Sequence, residues 1–250
     1  TTRDGEGDSK SNSDNQANKR FANQLDNKSS EKVLDYAMFY LSYGLSVIPL
    51  KSGEKTPLFK WEKYQKEPPS TSEVQKWFDG NNNNIAIICG KVSGNLVVID
   101  FDDAEVYEKF LKEIESDVEL KDIIGSTWLV RTGKGFHVYL RIDTNKPVKT
   151  GKLPKIDVKG EGGYVVAPPS LHPSGKRYEF IRFTKTTGHE IRVITEGQYN
   201  KLLETLEKVT QSKLPGKVEV KELIDIRGHE LTDEQIRGVV KALEPVYKQG

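Results

Sequence analysis

The sequence predicts a mixed α+β domain, and three observations carry that prediction. Short apolar runs, LSVIPL, IAIICG and NLVVIDF among them, are bounded by Gly, Pro and Asn. Segments with apolar residues at helical spacing stand apart from these runs. The regular strand–helix alternation of a parallel doubly wound sheet is missing.

Taken in order, Thr1 to about Ser30 holds only Phe21 and Leu25 as large hydrophobes, and residues 1–29 read as a disordered polar tail. Ser29 or Ser30 caps a first helix in which Val33, Leu34, Ala37, Met38 and Leu41 recur at helical spacing until Gly44 ends it. Leu45–Leu50 is a short buried strand. A second helix opens at Ser70 or Thr71 and runs through Trp77. Ile85–Gly90 and Asn95–Phe101 are strands joined by a glycine-bearing turn, and Ala104 to about Ser116 is an amphipathic helix. Trp128–Arg131 and His137–Ile142 form a hairpin. Strands follow at Lys155–Val158, Tyr164–Ala167 and Arg177–Phe183, and helix returns at Gly197–Val209. The main domain is therefore expected over residues 30–211. Residues 212–230 read as a linker, and 231–250 as the start of a helical module cut short.

Length and charge bound the rest. A chain of 250 residues accommodates one large domain and a small appendage. Its 38 Lys and Arg balance 37 Asp and Glu, leaving a formal net charge of +1, so a polyanion would have to be met by a local patch. No run approaches the ~18–20 apolar residues of a membrane span, and the first residues carry no secretory h-region. A cytoplasmic protein without membrane contact is expected. The single cysteine, Cys89, excludes an internal disulfide and any multi-cysteine zinc site, and no zinc is expected.

The candidate chemistry starts at Val97-Val98-Ile99-Asp100-Phe101-Asp102-Asp103. Side chains alternate along a strand, so Asp100 and Asp102 share one face and Ile99 and Phe101 the other. Two carboxylates side by side at the end of an apolar strand repel each other and lose hydration unless a cation lies between them. Oxygen ligands of this kind suit Mg²⁺ or Mn²⁺ better than zinc. The plain alternative is a strand end whose Asp103 caps the next helix. For Asp103 that alternative is preferred; for the pair both readings stand. Asp157 is a third polar residue among apolar strand neighbours. Alone it reads as a solvated edge, whereas three carboxylates converging on one face would form a two-metal site for phosphoryl transfer.

Arg131-Thr132-Gly133-Lys134-Gly135-Phe136-His137 sets two glycines, whose backbone N–H groups can approach an anion, among Arg131, Lys134 and His137. A hairpin turn explains the same residues equally well, and the Walker pattern is absent. In Ala167-Pro168-Pro169-Ser170-Leu171-His172-Pro173, three prolines stiffen a loop. Ser170 and His172 are there either ligand contacts or parts of a rigid connection. Between Lys121 and Gly160, nine basic residues stand against three acidic ones, a local balance of +6. Such a region suits a substrate held by its phosphates, or is a solvated face.

In this order the motifs resemble the archaeo-eukaryotic primase superfamily. More narrowly, the chain resembles the bifunctional primase–polymerase (prim-pol) domain at the N-terminus of archaeal plasmid and viral replication proteins. The similarity runs from about Glu31 to Phe183 through YGLSVIPL, GEKTPLFKW, NIAIICG, VVIDFD, TGKGFHVYL, KIDVKGEGGYVVAPPSLHPSG and a closing Tyr178. It implies a central, mostly antiparallel sheet flanked by helices. The implied activity is a template-dependent DNA primase/polymerase that transfers nucleotides from NTP or dNTP to a 3′-hydroxyl.

Site roles follow from the same resemblance. Asp100, Asp102 and Asp157 are implied as ligands of Mg²⁺ or Mn²⁺, and His137 as a holder of the incoming triphosphate. Lys134, Lys159, Ser170, His172 and Arg131 are implied as further nucleotide contacts. Gly135 stands where the family often has a hydroxyl residue, so a contact there would come from its backbone. The implied partners are a primer and a single-stranded DNA template, stacking on an aromatic such as Trp61 or Trp128. A helicase region commonly lies downstream. The cysteine-rich zinc stem of some plasmid relatives has no counterpart. A metal-dependent nuclease and a non-catalytic single-stranded nucleic-acid-binding module are the rival readings. A rolling-circle nicking enzyme would need an H-x-H pair, which His137-Val138-Tyr139 does not supply.

Overall fold

Two sheets are built from the apolar runs, one small and buried, the other large and open at one end. In the computed structural model, which describes residues 33–183 and 190–214, helix α1 (Val33–Ser42) leads into β1 (Val47–Leu50). Gly44, at φ 77°, supplies the left-handed turn between them. A 3-10 turn (Glu62–Gln65) and α2 (Thr71–Phe78) follow. Helix α2 opens with a capping box, in which Ser70 and Glu73 each satisfy the other's backbone N–H. Next come β2 (Asn84–Ile88), β3 (Leu96–Phe101), α3 (Ala104–Glu113) and α4 (Val118–Gly125). The remaining strands are β4 (Leu129–Arg131), β5 (Phe136–Asp143), β6 (Gly151–Leu153), β7 (Ile156–Lys159), β8 (Tyr164–Ala167), β9 (Glu179–Arg182) and β10 (Arg192–Thr195), before α5 (Glu196–Thr210).

The small sheet has the order β1-β2-β8 and is antiparallel throughout. The large sheet has the order β6-β7-β3-β5-β4-β9, antiparallel along that path, with β10 added in parallel to β5. The fold is thus mixed α+β with a mostly antiparallel sheet. Elements β6, β10 and α4 were not legible as such in the sequence. The helix expected to Ser116 stops at Glu113, and Asp117 caps α4 immediately after it.

Alternation along β3 sets the position of the site. Phe101 lies against Tyr107 and Phe110 of α3, with ring centroids 5.1 and 5.3 Å apart. Ile99 and Val97 therefore share that helix-covered face. Val98 points the other way, into a core that includes Phe39, Tyr40, Trp128 and Tyr139. Asp100 follows Val98 on this second face, where the apolar contacts stop. Trp128 is fully buried, its ring 5.0 Å from Tyr43 and 6.0 Å from Phe39. It is a core residue, and no template base can stack on it.

Among the described residues, no helix is long and apolar enough to cross a membrane. The expected polar tail 1–29, the linker beyond residue 214 and the segment 231–250 lie outside the described residues.

Candidate active site

Three adjacent strands bring the central residues together. Asp100 on β3 is the direct cross-strand partner of His137 on β5 and of Asp157 on β7. Directly opposed residues point to the same face of a sheet, so Asp157, Asp100 and His137 form a row across it. Asp102 lies just past the strand on the same side, exposed, with its N–H donated to the Lys155 carbonyl at 3.0 Å. Above the row opens a cleft of about 540 Å³, whose walls include Lys55, Lys159, Glu161 and Tyr178. A recess of about 260 Å³ adjoins it, bringing in Lys134 and His172 and sharing Lys55, Asp100, Asp102, His137 and Tyr178.

Electrostatics in this pocket are partly closed and partly open. Asp100 Oδ1 accepts from His137 Nε2 at 3.2 Å. Burial acts to raise the Asp100 pKa, but His137, through charge and its hydrogen bond, together with Lys55 and Lys159, outweighs burial and holds the carboxyl below the ordinary carboxylate range. Asp157 Oδ2 accepts from Lys159 Nζ at 2.7 Å. Its Oδ1 is buried with no hydrogen-bond partner, Lys152 Nζ standing 3.8 Å away. His137 Nδ1 is likewise buried and unpartnered. Tyr139 Oη and Arg141 Nε are buried without a partner as well, but only His137 and Asp157 of these four residues line the cleft, and that position makes their open atoms candidates for a ligand. Tyr178 packs between His137 and His172, at 5.8 and 5.7 Å, and burial, then Asp100 and Asp102, push its phenol pKa up.

Among the described residues, no three His, Cys, Asp or Glu side chains are gathered closely enough to hold an ion by themselves. Mg²⁺ seldom requires such a cage, since one or two carboxylates suffice when water and substrate phosphates complete the shell. The donors present are carboxylate oxygens, and the unpartnered Asp157 Oδ1 is one of them. By their chemistry they fit a hard divalent cation.

Three residues of the expected nucleotide-binding set stand elsewhere. Val130, not Arg131, opposes His137 across the β4–β5 hairpin, so Arg131 points to the opposite face. There it is exposed and 3.9 Å from Glu179. Ser170 is buried, and its Oγ accepts the Ile85 N–H at 2.8 Å, tying the proline loop to β2. Gly135 donates its N–H to Thr132 Oγ1 at 2.9 Å, so that group is spent inside the turn. Glycine is needed there for a different reason. A Cβ would sit 1.9 Å from the Phe101 carbonyl oxygen, so the hairpin lies directly on the end of β3. The basic run is split too: Arg141 lies over the Tyr43 ring at 5.2 Å, away from the pocket.

Lys134, Lys159 and His172 do line the site. Asp103 caps α3, accepting from Glu105 N–H at 2.9 Å, and pairs with Lys155 at 2.6 Å. Sequence reasoning missed Lys55, Glu161 and the site role of Tyr178. Lys55 sits in the GEKTP loop, whose backbone Tyr164 Oη holds through the Lys55 carbonyl at 2.8 Å. No periodicity in that loop points to the pocket. Glu161, in the Gly-rich KGEGG turn, accepts from Lys91 N–H at 2.9 Å.

An in-register row of two carboxylates and a histidine, under a cleft edged by lysines, is laid out for a phosphate-bearing substrate. Residues 37–196, well over half of the chain, match the family described as bifunctional DNA primase/polymerase, N-terminal. The chain belongs to this family. It is at this level a primase/polymerase-type nucleotidyltransferase, with nucleic acid and nucleotides as its substrates. No curated protein matches the chain.

Proposed function

We propose that the chain is a template-dependent nucleotidyltransferase that adds nucleotides from NTP or dNTP to a primer 3′-hydroxyl, with Asp100, Asp102 and Asp157 holding Mg²⁺ or Mn²⁺. The observation that carries this reading is the Asp157–Asp100–His137 register on three adjacent strands, under a cleft edged by Lys55, Lys134 and Lys159. Divalent ions, when bound, supply a more acidic attacking hydroxyl and charge neutralisation for the departing pyrophosphate.

The chain's own residues supply the positioning. Asp100 holds the His137 ring through Nε2, which leaves Nδ1 as the position for a phosphate oxygen, donating when the ring is doubly protonated. His172 Nδ1 accepts from Ser174 N–H at 3.0 Å, so its neutral ring carries the proton on Nε2, a second donor. Burial lowers the His172 pKa, as do Lys55, Lys134 and Lys176, which favours that neutral form. Trp61, half-buried and edge-on to Tyr164 of the cleft at 5.1 Å, is the aromatic left for a single-stranded template to stack on. A plasmid- or virus-type replication setting in the cytoplasm, with a helicase region further along the full-length protein, is supported by the motif resemblance alone.

A labelled primer on a template, incubated with Mg²⁺ or Mn²⁺ and nucleotides, tests the reading. Elongation is expected, reduced by about 10³-fold or more in Asp100→Ala and Asp102→Ala with circular dichroism unchanged. Shortened DNA would make the protein a nuclease, and ion-independent binding without reaction a passive binder. Near-normal extension by either variant would remove that carboxylate from the site.

A further inference from the structure

We propose that Lys159 is a latch on Asp157: without ions its ammonium occupies the cation's place beside this carboxylate, and the arrival of ion and nucleotide together displaces it onto the phosphates. This rests on the reading of Asp157 as an ion ligand. Lys159 and Asp157 are two residues apart on β7 and so share a face, and the strand itself builds the pair. The 2.7 Å contact is sheltered, with the two side chains 26 % and 17 % exposed. Lys159 opposes Val98 on β3, an apolar residue that offers it no competing anion.

Charge makes the pair necessary and also makes it reversible. Four carboxylates, those of Asp100, Asp102, Asp157 and Glu161, line the cleft against the two ammonium groups of Lys55 and Lys159. A sheltered carboxylate stripped of its counter-charge is costly, so Asp157 without an ion requires Lys159. Lys152 is a weak substitute, 79 % exposed and 3.8 Å off. A divalent ion at Asp157 repels the ammonium, which needs another anion to move to, and a triphosphate brings one. Ion and nucleotide therefore bind with positive coupling, each tightening the other.

Mn²⁺ titration followed by electron paramagnetic resonance, with and without a non-hydrolysable nucleoside triphosphate analogue, reads this directly. Lys159→Gln is expected to bind Mn²⁺ about tenfold tighter than wild type without nucleotide, an effect of about 1.4 kcal/mol, and to lose most of the tightening by the analogue. Lys159→Arg retains the counter-charge and is expected to keep wild-type affinity. Unchanged or weaker Mn²⁺ binding by Lys159→Gln, or tightening by Lys159→Arg, would overturn the latch. Asp157→Asn, added to Lys159→Gln, separates the two claims. If it leaves Mn²⁺ affinity untouched, Asp157 is no ligand and the underlying reading fails with the latch. If it weakens binding while Lys159→Gln alone does not tighten it, only the latch falls.

Discussion

The small and the large sheet treat their buried polar groups in opposite ways. At the small sheet these groups close on one another. The Asn84 amide donates to the carbonyls of Glu54 and Leu171 at 2.9 and 2.8 Å and accepts from Leu171 N–H. Ser93 Oγ accepts from Ser46 N–H and donates to the Ile88 carbonyl. Ser170 caps the Ile85 N–H. In the large sheet His137 Nδ1, Tyr139 Oη, Arg141 Nε and Asp157 Oδ1 stay buried and open, and of these residues His137 and Asp157 line the cleft. A buried polar group whose partners are all internal holds strands together; one left open on a cleft wall is a place for something that arrives later. Burial and polarity alone do not separate the two kinds, since Ser170 and His137 are 3 % and 4 % exposed. The partner census, read together with the lining of the cleft, does.

Substitutions on either side break or sharpen that contrast. After the carboxylate variants, the largest effect is expected from His137→Ala, which should raise the nucleotide KM about 10–100-fold, the worth of a hydrogen bond to a charged group, with the fold retained. Steady-state extension kinetics over a nucleotide series would show it, and an unchanged KM would mean that the open nitrogen meets no substrate. Ser170→Ala should do the reverse. It strands the Ile85 N–H and lowers stability by about 1–3 kcal/mol in urea, while the nucleotide KM stays within about twofold. A KM effect without a stability loss would return Ser170 to the nucleotide site.

The smallest effect lies at the solvent-exposed capping box of α2. Hydrogen bonds from the Ser70 backbone and hydroxyl, then from Tyr64 and Lys63, lower the Glu73 pKa from 4.5 to about 2. A depressed carboxyl stabilises the fold above its unfolded pKa and loses that contribution as pH falls from about 4.5 towards 2. Glu73→Gln should therefore be slightly less stable at neutral pH and flatter across that acid window, measured as denaturation midpoint against pH. An equally steep acid limb in the variant would assign the acid sensitivity to other groups.

Much of the site was legible because strand alternation is a local rule. VVIDFD could be read as a strand with its acids on one face, and the IDV context marked Asp157. Which strands are neighbours is not local. The row needs β3 between β5 and β7, a pairing made at long range and fixed by the whole sheet. Arg131 was misplaced for the same reason: its face depends on the hairpin register, which seats Val130 opposite His137. Ser170 and Gly135 carry the residue types of a ligand contact, yet one spends its oxygen on β2 and the other makes room for the Phe101 carbonyl. Strands β6 and β10, GKL and RVIT in sequence, carry no apolar run long enough to declare them. Lys55 reaches the pocket from a loop without repeating pattern.

The central claim is that carboxylates on β3 and β7 share a cation next to a triphosphate. A crystal grown with a non-hydrolysable nucleoside triphosphate and Mn²⁺, with anomalous scattering recorded at the manganese edge, tests it most directly. The account predicts a peak bonded to oxygens of both Asp100 and Asp157 and to the triphosphate, with His137 Nδ1 on a phosphate oxygen. Manganese bound away from Asp157, with the Lys159–Asp157 pair still closed and nucleotide present, would contradict it.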